Sequence, residues 1–349
     1  MMRFKKLPFV ATALLCLFDL TVYSQWVKQT VDTTASLRGL AVVNEKVVWA
    51  SGTGGTVIRT IDGGKTWYVM TVPGAEKLDF RDIEAFDEHT VYVLSIGNGE
   101  SSRIYKTTDG GKTWNLLYQN ANEKAFFDAI SCGFSSCYVL GDPLGGKFML
   151  GTLASYSEGK RIGLLAPDTA SFRVNSDAPD ALDGEAAFAA SGTCLLVSNG
   201  MIWFVSGGTA ARVFRSSDRG KSWGMANAPL AHGSSGAGAF SIAMFDEHRG
   251  VIVGGDYQKP DETSGSLAFT QNSGVTWKAA KGLTGYRSGV AYVDKKTIIA
   301  VGTNGSDITR DGGKTWKKFG DENLNAVQAR GKKAVWAVGP KGMVVKMKY

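Results

Sequence analysis

Short apolar runs of about four residues, separated by polar turns, recur along nearly the whole chain. The clearest set is Leu40-Ala41-Val42-Val43, then Val47-Val48-Trp49-Ala50, then Val57-Ile58-Arg59-Thr60, then a run opening at Trp67. Runs this short, bounded by Gly, Asn and Asp, predict strands joined by tight turns and leave no room for helices. The same order returns from Ile83 to Trp114 and from Ile130 to about Ile162. A fourth unit aligns without a gap on the first, Cys194 falling on Arg38 and Trp223 on Trp67, and further units run from Ile242 to Trp277 and from Val290 to Trp316. The last begins near Val327 and stops short of its fourth strand, whereas Trp26-Val27-Lys28-Gln29-Thr30 reads as a fourth strand with no unit of its own. The two ends complete each other. They predict an all-β, seven-bladed β-propeller, closed by pairing the N-terminal strand into the last blade so that no sheet is left half built.

Between the third and fourth strands stands a repeated turn. Asp62-Gly63-Gly64-Lys65-Thr66-Trp67 recurs from Asp109 to Trp114 and from Asp311 to Trp316, with near-copies from Asp218 to Trp223 and from Asn272 to Trp277. Hydroxyl residues precede each copy at Thr60, Thr107, Ser216, Thr270 and Thr309, so the pattern is S/T-x-D-x-G-x-T/S-W, an Asp box. Asp or Asn is expected to fix the turn by accepting backbone amides about two residues on, Gly to supply positive φ, and Trp to bury its ring between sheets. In the third unit the box has decayed to the residues from Ser157 to Ile162, which leaves the blade count resting on the strands alone.

Composition adds a compartment. Arg3, Lys5 and Lys6 precede an apolar run from Leu7 to Leu20 and a small-residue site at Val22-Tyr23-Ser24, the form of a secretory signal. Residues 1–24 are therefore expected to be a signal peptide and 25–349 a single propeller domain, exported to the periplasm or beyond, without an integral membrane segment after cleavage. Asp19 shortens the run below the roughly 20 residues of a membrane span. Removing three basic residues and one acidic takes the formal charge from +7 to +5. No Lys/Arg run in the remainder exceeds two residues, so nucleic acid gains no support as a partner. Cys132 and Cys137 flank a short turn and are open to two readings, a disulfide or two free thiols; Cys194 is then unpaired.

In such a ring the residue just before each first strand lines one mouth of the central channel, and the boxes lie on the opposite face as scaffold. The mouth set is Arg38, Arg81, Asp128, Cys194, Phe240, Ser288 with neighbouring Arg287, and Asn325, joined from the second-strand ends by Asp142 and Asp256. Arg38, Arg81, Arg287 and Asn325 are candidate ligand contacts, since Arg presents a fork of donors suited to carboxylates. Asp128, Asp142, Glu185 and Asp256 are candidate acids, one protonated and one ionised sufficing for glycoside hydrolysis. The alternative is that these charges pair among themselves in a wet channel. A sialidase is disfavoured by the blade count and by the missing Arg-Ile-Pro signature. Gly52-Thr53-Gly54-Gly55 lacks the context of a dinucleotide-binding turn. His89, His248 and His232 are scattered, so neither metal nor cofactor is expected.

Laid out in this way, the chain resembles the photosystem II stability/assembly factor-like family of Asp-box propellers. More specific than the boxes are Gly141-Asp142-Pro143, the run from Gly184 to Cys194, the run from Ala211 to Ser216, Gly254-Gly255-Asp256-Tyr257, and Tyr286-Arg287-Ser288-Gly289. These resemble an exported bacterial branch often labelled oxidoreductase or sialidase-like. The resemblance implies a binding or assembly scaffold for an envelope protein or glycan ligand, with a carbohydrate-active hydrolase as the alternative. The long segment from Gly163 to Thr193 and the decayed third box depart from the photosynthetic members.

Overall fold

A computed structural model describes residues 26–133, 136–153 and 173–348. The expected signal peptide and the decayed third box lie outside the described residues. Seven antiparallel sheets form a ring in which the inner strand of each blade lies beside that of the next, blade seven returning to blade one. From the channel outward, blade one has Leu37–Val42, Val48–Gly52, Thr56–Thr60 and Tyr68–Thr71, and blade two Asp79–Ala85, Val91–Ile96, Arg103–Thr107 and Asn115–Gln119. Blades four, five and six start at Leu195–Ser198, Ala237–Met244 and Gly289–Tyr292. Blade seven takes Ala326–Ala329, Val335–Val338 and Val344–Met347 from the C-terminus and Trp26–Lys28 from the N-terminus, Trp26 standing opposite Met347. The closure read from the sequence is the closure observed.

In the third blade the outer strand among the described residues is Arg173–Val174, paired to Lys147–Leu153, and the expected run near Ile162 lies outside the described residues. Asn175 N–H to Leu150 O (2.7 Å) and Phe148 N–H to Pro179 O (3.0 Å) continue the contact. Part of the extra length thus belongs to this blade, and a decayed box gave no marker for where its last strand resumes.

The apolar core lies in the seams between blades. One cluster joins blades seven and one, another blades one and two, and so on around the ring. The largest fully buried side chains are the second-strand Trp49, Trp203 and Trp336, each at 0% exposure. The box Trp residues are expected to be fully buried and mostly are not: Trp67, Trp114, Trp223 and Trp316 are half-buried, and only Trp277 is buried. Standing at the outer end of each seam, they lean on the neighbouring blade as lids, Trp67 meeting Trp336 edge to face at 5.6 Å.

The boxes show why their pattern repeats. Thr60 Oγ1 donates to Asp62 Oδ1 (2.8 Å) and accepts Gly64 N–H (2.9 Å), while Asp62 accepts Thr66 N–H (3.0 Å) and the Thr66 hydroxyl (2.6 Å). The Asp therefore reaches four residues on, where two were expected, because the hydroxyl residue before it holds the nearer amides. Blades two, four and six repeat this set, and blade five keeps it with Asn272, whose amide donates to the Thr276 hydroxyl. Gly63 N–H, at φ 78°, then docks the box onto Lys46 O (3.0 Å) in the turn between the first two strands of the same blade.

A belt of polar side chains links neighbouring inner strands. Asp82 accepts Ile130 N–H (2.7 Å), Ser131 accepts Val197 N–H (3.1 Å), and Ser241 accepts Val290 N–H (3.1 Å). Ser288 donates to Asn325 O (2.8 Å), and Asn325 donates to Leu37 O (2.8 Å) to close the ring. Cys132 and Cys137 face each other across a hairpin and are joined as a disulfide; Cys194 is free and buried.

Candidate functional site at the channel mouth

The pairing register of the inner strand slips at the same place in four blades: between Leu37 and Gly39, Phe80 and Asp82, Phe127 and Ala129, and Ala239 and Ser241. The residues skipped are Arg38, Arg81, Asp128 and Phe240. A bulge leaves one residue outside the ladder and re-aims its side chain. That is how four of the expected mouth positions come to face the channel.

The channel they face is filled by the chain itself. The segment from Glu185 to Cys194 first pairs Glu185–Ala186 with Gly207–Gly208 and then crosses the ring, touching the inner ends of blades one, two, three, five and six. Ala187, Ala189, Ala190 and Ser191 are buried. The mouth residues grip its backbone. Arg38 donates to Ala190 O (3.2 Å), Arg81 to Ala189 O (3.2 Å), and Asp142 accepts Ala187 N–H (3.1 Å). Ser191 donates to Ser288 O (2.7 Å), and Phe188 stacks on Phe240 with ring centroids 4.0 Å apart. Gly192, at φ 73°, lies so close to the Asp82 carboxylate that a Cβ would stand 2.1 Å from it. Small residues let this backbone thread a narrow channel. That run of Ala, Ser and Gly was the signal available in the sequence, yet it has no period to say that it forms a plug.

Removal from water dominates the electrostatics. Burial, then neighbouring Asp142, pushes the Asp128 carboxyl well above its usual range, against the pull of Arg81 and the Ala189 N–H. Asp142 is pushed up to about 6 by burial, with Ala187 N–H opposing, and Asp82 to about 7 by burial against the N–H groups of Ile130 and Ile83. Arg38 is lowered by burial and then by Arg81. Burial also pushes the Cys194 thiol up.

The remaining expected residues are held by other partners. Glu185 is buried and takes the Nε–H of Arg212 (2.8 Å), the Leu182 N–H (2.9 Å) and the Ser206 hydroxyl, an arrangement that anchors the start of the plug. Arg287 has 0% side-chain exposure and spends its donors on Asp307, Asn304, Thr284 and Tyr286 O. Asn325 belongs to the belt, and Asp256 accepts Gln258 N–H (2.9 Å) and the Ser234 hydroxyl (3.2 Å). Among the described residues no group of three metal-ligating side chains occurs.

Ring, boxes and closing strand define the class: a seven-bladed Asp-box β-propeller. Within that class part of the chain resembles photosystem II assembly factor-like proteins. Residues 18–118 match the family model described as photosynthesis system II assembly factor YCF48. The solved structure "YCF48 bound to D1 peptide" aligns over 94% of this chain and 96% of its own at 15% identity and TM-score 0.66. YCF48 from Cyanidioschyzon merolae aligns over 92% and 98% at 16% identity and TM-score 0.56. The solved structure of U3-55K reaches TM-score 0.59 at 12% identity over 93% of this chain and 98% of its own. At such identities the structural likeness carries the fold. No curated protein sequence matches the chain.

Proposed function

We propose that this protein is an exported, non-catalytic scaffold that captures a protein partner on the plugged mouth of its ring. The plug carries the reading. By closing the channel with its own backbone, which Arg38 and Arg81 grip, the chain turns an open funnel into a surface, and Leu182 and Tyr257 are exposed for contact. A similar propeller has been solved with a peptide bound. The Cys132–Cys137 disulfide supports an oxidising compartment, as does the apolar run after Lys6.

Hydrolysis finds less support. Asp128 and Asp142 lie against the backbone of the plug, and Glu185 is held by Arg212, whereas a glycosidase pair must flank a sugar from two sides. Capture on the mouth predicts that Arg38→Glu with Arg81→Glu abolishes co-purification of a specific envelope protein after crosslinking, with folding unchanged by circular dichroism. Retained capture removes the mouth from consideration, and turnover of a glycoside panel that disappears in Asp142→Asn replaces the scaffold with an enzyme.

A further inference from the structure

Beside the plug lies a cleft of about 370 Å³ between two loops that the sequence places far apart. One wall is the turn Asp142-Pro143 with Gly146, from the hairpin of blade three; the other is Ala181 to Ala186, the approach to the plug. Apolar atoms come from Pro143, Ala181 and Leu182, and Leu182 is 54% exposed, the highest value among the large hydrophobic side chains described. Acidic atoms come from Asp142, Asp183 and Glu185.

The charges around this cleft do not cancel. Arg212 is bound to Glu185, and Lys147 is held by Asp180 at 2.9 Å. Asp142 and Asp183 have no ion-pair partner among the described residues. Asp128, which interacts electrostatically with Asp142 without lining the cleft, is 1% exposed and its Oδ2 has no hydrogen-bond partner. The cleft itself, lined by Asp142, Asp183 and Glu185 with Pro143, Ala181 and Leu182, has an excess of negative charge and apolar sides. Such a cleft matches a side chain with an aliphatic stem and a cationic head, the stem covering Leu182 and Pro143 and the head reaching Asp142.

We propose that this cleft receives the lysine or arginine side chain of an extended segment of the partner protein, with an adjoining apolar residue on Leu182. This rests on the scaffold reading and adds the chemistry of the bound segment.

The probe is a fluorescein-labelled, amidated pentapeptide with a central lysine flanked by leucines, titrated into the full chain and read by anisotropy at neutral pH and low salt. Versions with norleucine and with glutamate at the centre serve as comparisons. The lysine peptide is expected to bind about tenfold or more tightly than the norleucine peptide, the scale of a lost charge-assisted hydrogen bond. Asp142→Asn should erase that difference. Because Asp142 also holds Ala187, the exposed Asp183→Asn is the second variant and is expected to weaken the lysine peptide several-fold; Leu182→Ser should weaken both peptides. Equal binding of the lysine and norleucine peptides, or no response to Asp183→Asn, overturns the assignment. If no peptide binds while reversal of Arg38 and Arg81 still abolishes partner capture, the cationic pocket is wrong and the scaffold stands. If the lysine peptide binds as expected and that reversal leaves capture intact, the pocket stands and the arginine mouth does not.

Discussion

At the scale of single residues, the box Asp and the seam Trp do different work from what their repetition suggests. Asp109 is stabilised as a carboxylate at about 2, first by the Thr113 hydroxyl and then by the Thr113 N–H. Blade five fills the same place with Asn272, which still accepts Thr276 N–H (3.0 Å) and turns its amide to the Thr276 hydroxyl (3.0 Å). Asp109→Asn is therefore expected to lower the melting temperature much less than Asp109→Ala, which empties both positions; equal losses in calorimetry would deny the turn its side-chain origin. The Trp residues sort by burial. Trp203→Ala, at 0% exposure, should cost roughly 3–5 kcal/mol, the range for deleting a buried aromatic, whereas half-buried Trp114→Ala should cost about half as much. The box string makes Trp114 conspicuous in the sequence and says nothing of its exposure. Trp203 draws no notice there because only the packed seam shows where it lies.

At the scale of elements, legibility followed periodicity. Strands, boxes and the ring closure repeat, so comparing units located them, and the mouth residues came from the same alignment. The bulges at Arg38, Arg81, Asp128 and Phe240 leave no compositional mark, and the plug and the outer strand of blade three fall in a segment without period. Two elements now carry expectations of their own. Trp26 is buried, donates Nε1–H to Ser306 Oγ (3.0 Å) and packs edge to face on Phe319 at 5.1 Å, although it stands on the first described strand. Trp26→Ala should cost about 3–5 kcal/mol in chemical denaturation; a negligible loss, as from a frayed end, would mean that the strand does not close the ring. In the plug, Gly192→Ala places a methyl against Asp82 in a backbone conformation that alanine avoids. Faster hydrogen exchange is expected in the plug amides and, because Asp82 also holds the Ile130 N–H of the belt, at the inner strands of blades two and three, with the outer strands still protected.

For the whole molecule, two sets of carboxylates oppose each other across the ring. The boxes on one face hold Asp109 and Asp218 at about 2, below the value near 3.9 of an unfolded chain. Their contribution is complete above about pH 4 and is lost as pH falls toward 2, because the unfolded state takes up protons first. The channel holds Asp142 at about 6, Asp82 at about 7 and Asp128 well above its usual range. Here the sign reverses. From about pH 4 upward the unfolded chain gives up protons that the folded ring keeps, so stability falls with rising pH until these groups ionise in the folded state. The sum predicts greatest thermal stability near pH 4 to 5 and a decline from there to pH 8, in place of the more usual plateau around neutrality. Asp128→Asn isolates the cause. It removes the titrating group, and with it the proton uptake that folding requires above about pH 4, while keeping an oxygen for the Ala189 N–H, and should raise the melting temperature at pH 8 while changing it little at pH 4. A melting curve that climbs from pH 5 to pH 8 in the unmodified protein, or an Asp128→Asn variant with an unaltered alkaline limb, would show that the channel carboxylates do not set the pH dependence of this fold.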